Sequence, residues 1–283
     1  MSKKYFIIIT ILFIAFYLFS DNSSNNISNE EIEKKVEKIL KEKIKDYETN
    51  NPVFCQKGGM MRTGEHSFYL RTNDEWTGFS TFKLGYRYAV TDYFNIAIEG
   101  GASPIPHVYI GALLLHFKIF ETKNKFFFLG ARFRFGYRYQ DSNFNTPEWE
   151  PVVGKNYLQL KKHTFYIIPD ITASFRFGPY RRFALYYTVF PRFDIDLEGG
   201  PTYIFISPVM AGFEVRFGYK MEWSFAIEGG YTFPVPWDSV PAGKWVNFPS
   251  LANFGFYYRF GDKFYSKKNI EKMKEEIRKE ISP

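Results

Sequence analysis

Few side chains in this sequence could make or break bonds. The chain has four histidines and one cysteine. His107 and His163 fall where long connections meet extended segments, and so does the acidic run Asp194, Asp196, Glu198. A histidine beside a carboxylate is the pairing that general acid–base hydrolysis uses. Three carboxylates at alternate positions offer hard oxygen donors of the kind calcium takes. Neither pattern is specific, because acids at a strand end also pair with arginine. No residue is therefore assigned as catalytic, and the acidic run is only a candidate metal site. Cys55 stands alone, so it forms no intrachain disulfide and no multi-cysteine metal site; it reads as incidental to the first strand. There is no phosphate-cradling glycine loop, zinc spacing or nucleotide fingerprint, and no cofactor is called for.

The larger chemical inventory is charge. Lys and Arg total 37 against 30 Asp and Glu, a formal net charge of +7. Basic residues interleaved with aromatics can indicate nucleic-acid binding. Here, however, they alternate one-for-one with Phe and Tyr. From Phe126 to Tyr139, Phe127, Leu129, Phe133, Phe135 and Tyr137 share one parity while Arg132, Arg134 and Arg138 share the other. That is the period of a strand with one apolar and one polar face. Nine such stretches lie between Gly78 and Phe260. Their polar faces carry Lys83, Arg87, Lys118, Arg132, Arg134, Arg138, Arg176, Arg192, Arg216 and Arg259, with the acids Glu99, Asp170, Asp194, Glu214 and Glu228. Nucleic acid is excluded as the partner on this reading. The charges become the lining of a closed sheet, where opposite signs side by side lower the cost of burial.

Strands must place those residues, and the connections say how. Short turns at Thr91-Asp92, Glu121–Asn124, Pro179–Arg182 and Tyr219–Met221 alternate with longer links over 101–107, 140–160, 197–201 and 234–247. A tenth strand around His66–Arg71 gives an even number; eight is the alternative count. Aromatic residues make up 21% of the chain, and Tyr86, Tyr88, Tyr93, Tyr137, Tyr139, Tyr219 and Tyr258 crowd the short-turn ends, as an interfacial girdle does. A mean hydropathy of −0.28 fits, since a lipid-facing strand needs only every second residue apolar. Pro169, Pro191, Pro208, Pro234 and Pro249 cannot donate to a ladder and are expected together near the outer rim. The parts then read as a signal peptide over 1–20, with Lys3 and Lys4 before an apolar run, then a linker and amphipathic helix over 21–52. A barrel follows over 53–262 and a second helix over 263–283. An uncleaved leader acting as an inner-membrane anchor is a second reading.

On these residues the chain resembles the bacterial outer-membrane β-barrel class. The last strand adds to the resemblance: Asn253, Gly255, Tyr258 and Phe260 match that class's polar-x-Gly-x-x-aromatic-x-aromatic insertion signal. The resemblance covers about residues 65–261 and implies an all-β, antiparallel, up-and-down transmembrane barrel. It also implies outer-membrane lipid and the barrel-insertion machinery as partners, with the helical tails in the periplasm, where they could pair copies into a homo-oligomer. The expected role is non-enzymatic: a structural or adhesion-type protein, or a narrow anion-leaning pore with a largely filled lumen. The competing readings are an outer-membrane hydrolase with its site at the rim, and an exported soluble barrel that binds an apolar ligand.

Overall fold

The computed structural model describes residues 27–74, 80–103, 108–140, 163–199, 202–234 and 248–281. The expected leader, the linker before Ile27, His107 and most of the long links lie outside the described residues. Helix α1 spans Ile27–Asn50. Ten strands follow: β1 His66–Asp74, β2 Ser80–Thr91, β3 Phe94–Ser103, β4 Val108–Glu121, β5 Phe127–Gln140, β6 His163–Phe177, β7 Phe183–Asp196, β8 Tyr203–Phe217, β9 Trp223–Pro234 and β10 Phe248–Phe260. Helix α2, Lys267–Ile281, closes the chain.

Each strand pairs antiparallel with its sequence neighbours, and β1 pairs with β10 to close the ring. Phe68 faces Tyr258 and Leu70 faces Phe256 across that seam. Closure leaves no strand of the ring with an unpaired edge. The count is ten, and the eight-stranded alternative is set aside. We call the end of the barrel that carries the short turns the inner end.

Parity decides which side each residue takes. Leu84 is 69% exposed and Ile98 61%, on the outside, while Lys83 and Glu99 beside them are buried. Such an apolar exterior is stable only against an apolar solvent. On the inside, tyrosines lie flat across glycines of the next strand: Tyr69 opposite Gly85, Tyr166 opposite Gly136, Tyr186 opposite Gly212. A Cβ at Gly85 or Gly136 would sit 2.1 Å from the tyrosine ring, so only glycine admits the ring there.

The prolines depart from expectation. Pro234 and Pro249 lie at the outer ends of β9 and β10, but Pro169, Pro191 and Pro208 lie inside β6, β7 and β8. The ladder tolerates them by breaking. The β6–β7 pairing lapses between Ile167↔Phe193 and Ile171↔Val189, and β7–β8 and β8–β9 shift register at Thr188/Phe190 and Ile206/Val209. A residue without an N–H needs a bulge or a gap, and a rim is only one place to find one.

Two compact units divide the chain. Residues 43–270 hold the barrel and the last turns of α1. In the other unit, α1 buries Val36 and Leu40 and α2 buries Ile277, and Arg278 Nη2 lies 2.9 Å from Glu33 Oε1. Both half-exposed partners of that pair are wet, so it adds little stability.

Candidate functional site in the barrel lumen

Arg87, Arg132, Arg134, Arg138, Arg176, Arg192, Arg216, Arg259, Lys83, Glu99, Asp170, Asp194, Glu214 and Glu228 are all buried on the inward faces. Lys118 is not among them. It keeps the inward parity of Leu114 and His116 but sits at the inner rim, partly buried, 3.5 Å from Glu121 and over the Tyr93 ring.

The strand pattern gave no sign of what those side chains hold. Between α1 and β1 the chain enters the barrel, and Pro52–Met61 are buried throughout. This strap is gripped mainly through its backbone. The Glu214 carboxylate accepts the backbone N–H groups of Cys55 at 2.7 Å, Gln56 at 3.2 Å and Gly58 at 3.3 Å, plus the Ser224 hydroxyl at 2.9 Å. Arg176 Nε donates to the Gly58 carbonyl at 2.7 Å, Ser174 to the same oxygen at 3.0 Å, and Arg87 to the Cys55 carbonyl. The Phe54 ring is fully buried between the guanidinium groups of Arg216, 4.8 Å away, and Arg176, 5.5 Å away. At the strap's far reach, Lys57 Nζ meets Glu228 at 2.7 Å. Gly58 and Gly59 fit because a Cβ would strike Ala184 at 2.7 Å and the Arg176 guanidinium at 2.3 Å. Cys55 is thus a core residue, not an incidental one. Burial pushes its thiol up to about 11, with Glu214 beside it, and the folded barrel shields it from an intermolecular disulfide.

The last turn of α1 seals the inner mouth. Glu48 is fully buried; its carboxylate takes Arg216 Nη1 at 2.6 Å, Arg62 at 3.2 Å, Arg259 at 3.4 Å and the Tyr265 hydroxyl at 2.9 Å. Burial alone would raise this carboxyl, but Arg216, Arg259 and Arg62 outweigh it and hold it at about 2. Tyr47 stacks on Phe264 with ring centres 3.6 Å apart, and Glu65 pairs with Arg259. Lumen acids assigned from parity to strand-to-strand pairs thus partly serve the strap: Glu214 its amides, Glu228 its lysine.

Farther from the short turns the lining changes. Arg132 holds Asp170 through Nε at 2.9 Å and Nη2 at 2.6 Å. Arg71 reaches Glu99 Oε1 at 2.7 Å; Arg134 and Lys83 approach that same oxygen only to 3.6 and 3.7 Å. Beyond them Arg138 lies 3.6 Å from Asp194, which Arg192 takes at 2.6 Å. An apolar patch of Val108, Ile110, Tyr166 and Ile168, with Phe190, completes this half.

The residues first considered for chemistry do not converge. His163 Nδ1 is engaged by the Tyr137 hydroxyl, and its Nε2 is 3.9 Å from Glu198. Asp194 and Asp196 face inward while Glu198 lies exposed past the end of β7. Among the described residues no group of three or more His, Cys, Asp or Glu could hold a metal ion. In the candidate site Asp194, Asp196, Glu198, arginine takes Asp194, the Glu198 backbone N–H donates to Asp196 at 2.9 Å, and the Glu198 side chain is exposed.

In β10, Asn253 faces inward toward Glu228 at 3.4 Å, and Gly255 leaves room for the Tyr257 ring and Gln56. Tyr258 and Phe260 stack on the outer face, 5.9 Å between centres. The strap, Glu48 and the inward tyrosines were all missed by sequence reasoning. The available signal was a Gly-Gly pair in a short apolar stretch that follows neither strand nor helix period.

No family model matches the chain, and no curated protein matches it. Solved structures do. A bacterial polysaccharide outer-membrane secretin is similar at 12% identity and TM-score 0.40, over 70% of this chain and 65% of that one. The N-terminal barrel domain of Pseudomonas aeruginosa OprF is similar at 9% identity and TM-score 0.34, over 71% of this chain and 100% of that one. The NanC porin gives 10% identity and TM-score 0.32, over 70% of this chain and 93% of that one. Likeness at this level concerns architecture and assigns no role. The closed ring of ten antiparallel strands, apolar outside and charged within, is the architecture of an outer-membrane β-barrel.

Proposed function

We propose that this chain works in the bacterial outer membrane as a closed, non-enzymatic barrel of the structural or adhesion type. Its helical tails lie on the periplasmic side. One observation carries this reading: Glu214 binds three consecutive-region strap amides inside the barrel, with Arg176 and Arg87 on the strap carbonyls. A segment fastened by its backbone on both polarities is built into the wall and leaves the inner half of the lumen solid. The exposed apolar exterior supports lipid as its solvent over an exported soluble role. The test is reconstitution of the full chain in planar bilayers. No stepwise conductance is expected; sustained single-channel steps from folded protein would overturn the reading. A narrow anion-leaning pore is the second reading, favoured by Arg71, Lys83 and Arg134 converging on one carboxylate oxygen.

A further inference from the structure

We infer that the lumen beyond the strap contains a binding site for a small oxyanion, with Arg134 as its principal ligand and Arg71 beside it. The argument begins with Arg132. It faces the same side of β5 as Arg134, and a carboxylate satisfies it in two-pronged fashion at 2.9 and 2.6 Å. Arg134 is as nearly buried, at 9% exposure, yet its Nε has no hydrogen-bond partner. The nearest carboxylate oxygen, Glu99 Oε1, is 3.6 Å from it and already takes Arg71 at 2.7 Å; the other Glu99 oxygen takes the Tyr69 hydroxyl at 3.1 Å. Arg71 Nε is likewise buried without a partner.

Among the described residues this layer holds Lys57, Arg71, Lys83, Arg132 and Arg134 against Glu99, Asp170 and Glu228. Lys57 pairs with Glu228 and Arg132 with Asp170, and Lys83 has a further partner besides its 3.7 Å approach to Glu99, so Arg71 and Arg134 are the two cations left to that one carboxylate. Buried positive charge in excess is costly. A planar guanidinium presents parallel donors that fit two oxygens of a phosphate, sulfate or carboxylate. The ligand class follows: a small oxyanion entering the lumen from the end opposite the strap. The wall of strands keeps lipid headgroups out. The site depends on the inward face of the barrel alone, and it stands whether the barrel conducts or stays closed.

The test uses the full chain, folded in detergent, titrated calorimetrically with inorganic phosphate at constant ionic strength. Saturable binding to one site is expected. Arg134→Gln should weaken it at least tenfold, and Lys123→Gln, on an exposed inner turn, should leave it unchanged. Glu99→Gln should tighten it several-fold, because the competing carboxylate is gone; a merely structural role for Glu99 would not produce that gain. Each variant is first checked for the mobility shift between unheated and heated samples that marks a closed barrel. If Arg134→Gln does not fold, the Glu99→Gln result decides. No saturable binding in the native chain, equal binding in Arg134→Gln, or weaker binding in Glu99→Gln would each overturn the site.

Discussion

Arg176 and Arg138 are both fully buried arginines on inward strand faces, and they end differently. Arg176, near the short turns, places Nε on the strap at Gly58 and Nη1 on Glu121 at 2.5 Å, leaving one nitrogen, Nη2, without a partner. Arg138, toward the other end, has two long contacts through Nη2, to Thr164 at 3.4 Å and to Asp194 at 3.6 Å, and leaves Nε and Nη1 without partners. The contrast extends to the neighbours of each. The inner half is finished as a solid, with strap backbone and the α1 terminus consuming the charges. Among the described residues the outer half holds its cations with fewer acceptors. Residue type is the same in both halves, so what separates them is the covalent segment that enters one of them.

The sharpest way to break the inner half is to remove the Glu214 carboxylate. Glu214→Leu strands three strap amides and the Ser224 hydroxyl in a dry site. Breaking a buried hydrogen-bonded charge costs about 3–5 kcal/mol, so we expect a loss of that order in urea unfolding from lipid or detergent. Cys55 reports the same event directly. Buried and held as the thiol in the native chain, it should resist alkylation there and react readily in the variant. Unchanged Cys55 labelling in Glu214→Leu would show that the strap does not depend on this carboxylate.

Glu48 is the next largest effect and depends on pH. Its folded value of about 2 lies below the unfolded value of 4.5. A depressed carboxyl contributes stability that is fully present above the unfolded value and is lost as pH falls through the folded one. The window is therefore pH 4.5 down to about 2, and the linkage is worth about 3 kcal/mol. Glu48→Gln should lower stability at pH 7 by a similar amount and flatten the acid limb between pH 5 and 2. An acid limb as steep in Glu48→Gln as in the native chain would place the titrating group elsewhere.

These two residues also mark where the sequence ceased to be legible. Alternation over β2–β10 was readable because a closed sheet with lipid outside imposes a strict period of two on every strand. The inward set of charges followed from it, with Lys118 at the inner rim where the lining meets the turn. Parity says which way Glu214 points but not what it meets, since a backbone amide leaves no mark on a residue pattern. The strap, Pro52–Met61, has no period to read because its surroundings are the barrel's whole interior. Nothing in the sequence singles out Glu48, and only closure of the ring brings Arg216 and Arg259 around it. Pro169, Pro191 and Pro208 were placed at the rim from their missing donor, although a bulge answers that loss equally well.

A smaller change compares two glycines that look alike in sequence. Gly85 lies under the Tyr69 ring, whereas a Cβ at Gly111 meets nothing within 4 Å. Gly85→Ala overpacks the interior and should cost about 1–3 kcal/mol, while Gly111→Ala should stay within about 0.5 kcal/mol of the native chain. Urea midpoints measured side by side check this. Equal midpoints would mean that Tyr69 swings aside without loss.

The least costly substitution should be in the outer half, and it tests the comparison most directly. Arg138→Met keeps side-chain bulk and removes a guanidinium with two unpartnered nitrogens. Asp194, the carboxylate it leaves, keeps Arg192 at 2.6 Å, so no buried anion is abandoned. Exchanging a poorly compensated buried ion for an apolar side chain of similar volume is often neutral or stabilising. We therefore expect a change under about 1 kcal/mol, with stabilisation the favoured sign. Arg176→Met, at the other end, should lose about 1–3 kcal/mol, because it removes the Nε hydrogen bond to the Gly58 carbonyl, leaving Ser174 as its donor, and takes one of three cations from Glu121, which keeps Lys125 at 2.7 Å. If the two substitutions cost the same in urea unfolding, the halves are equally finished, and acceptors from the long links satisfy Arg138 as fully as the strap satisfies Arg176.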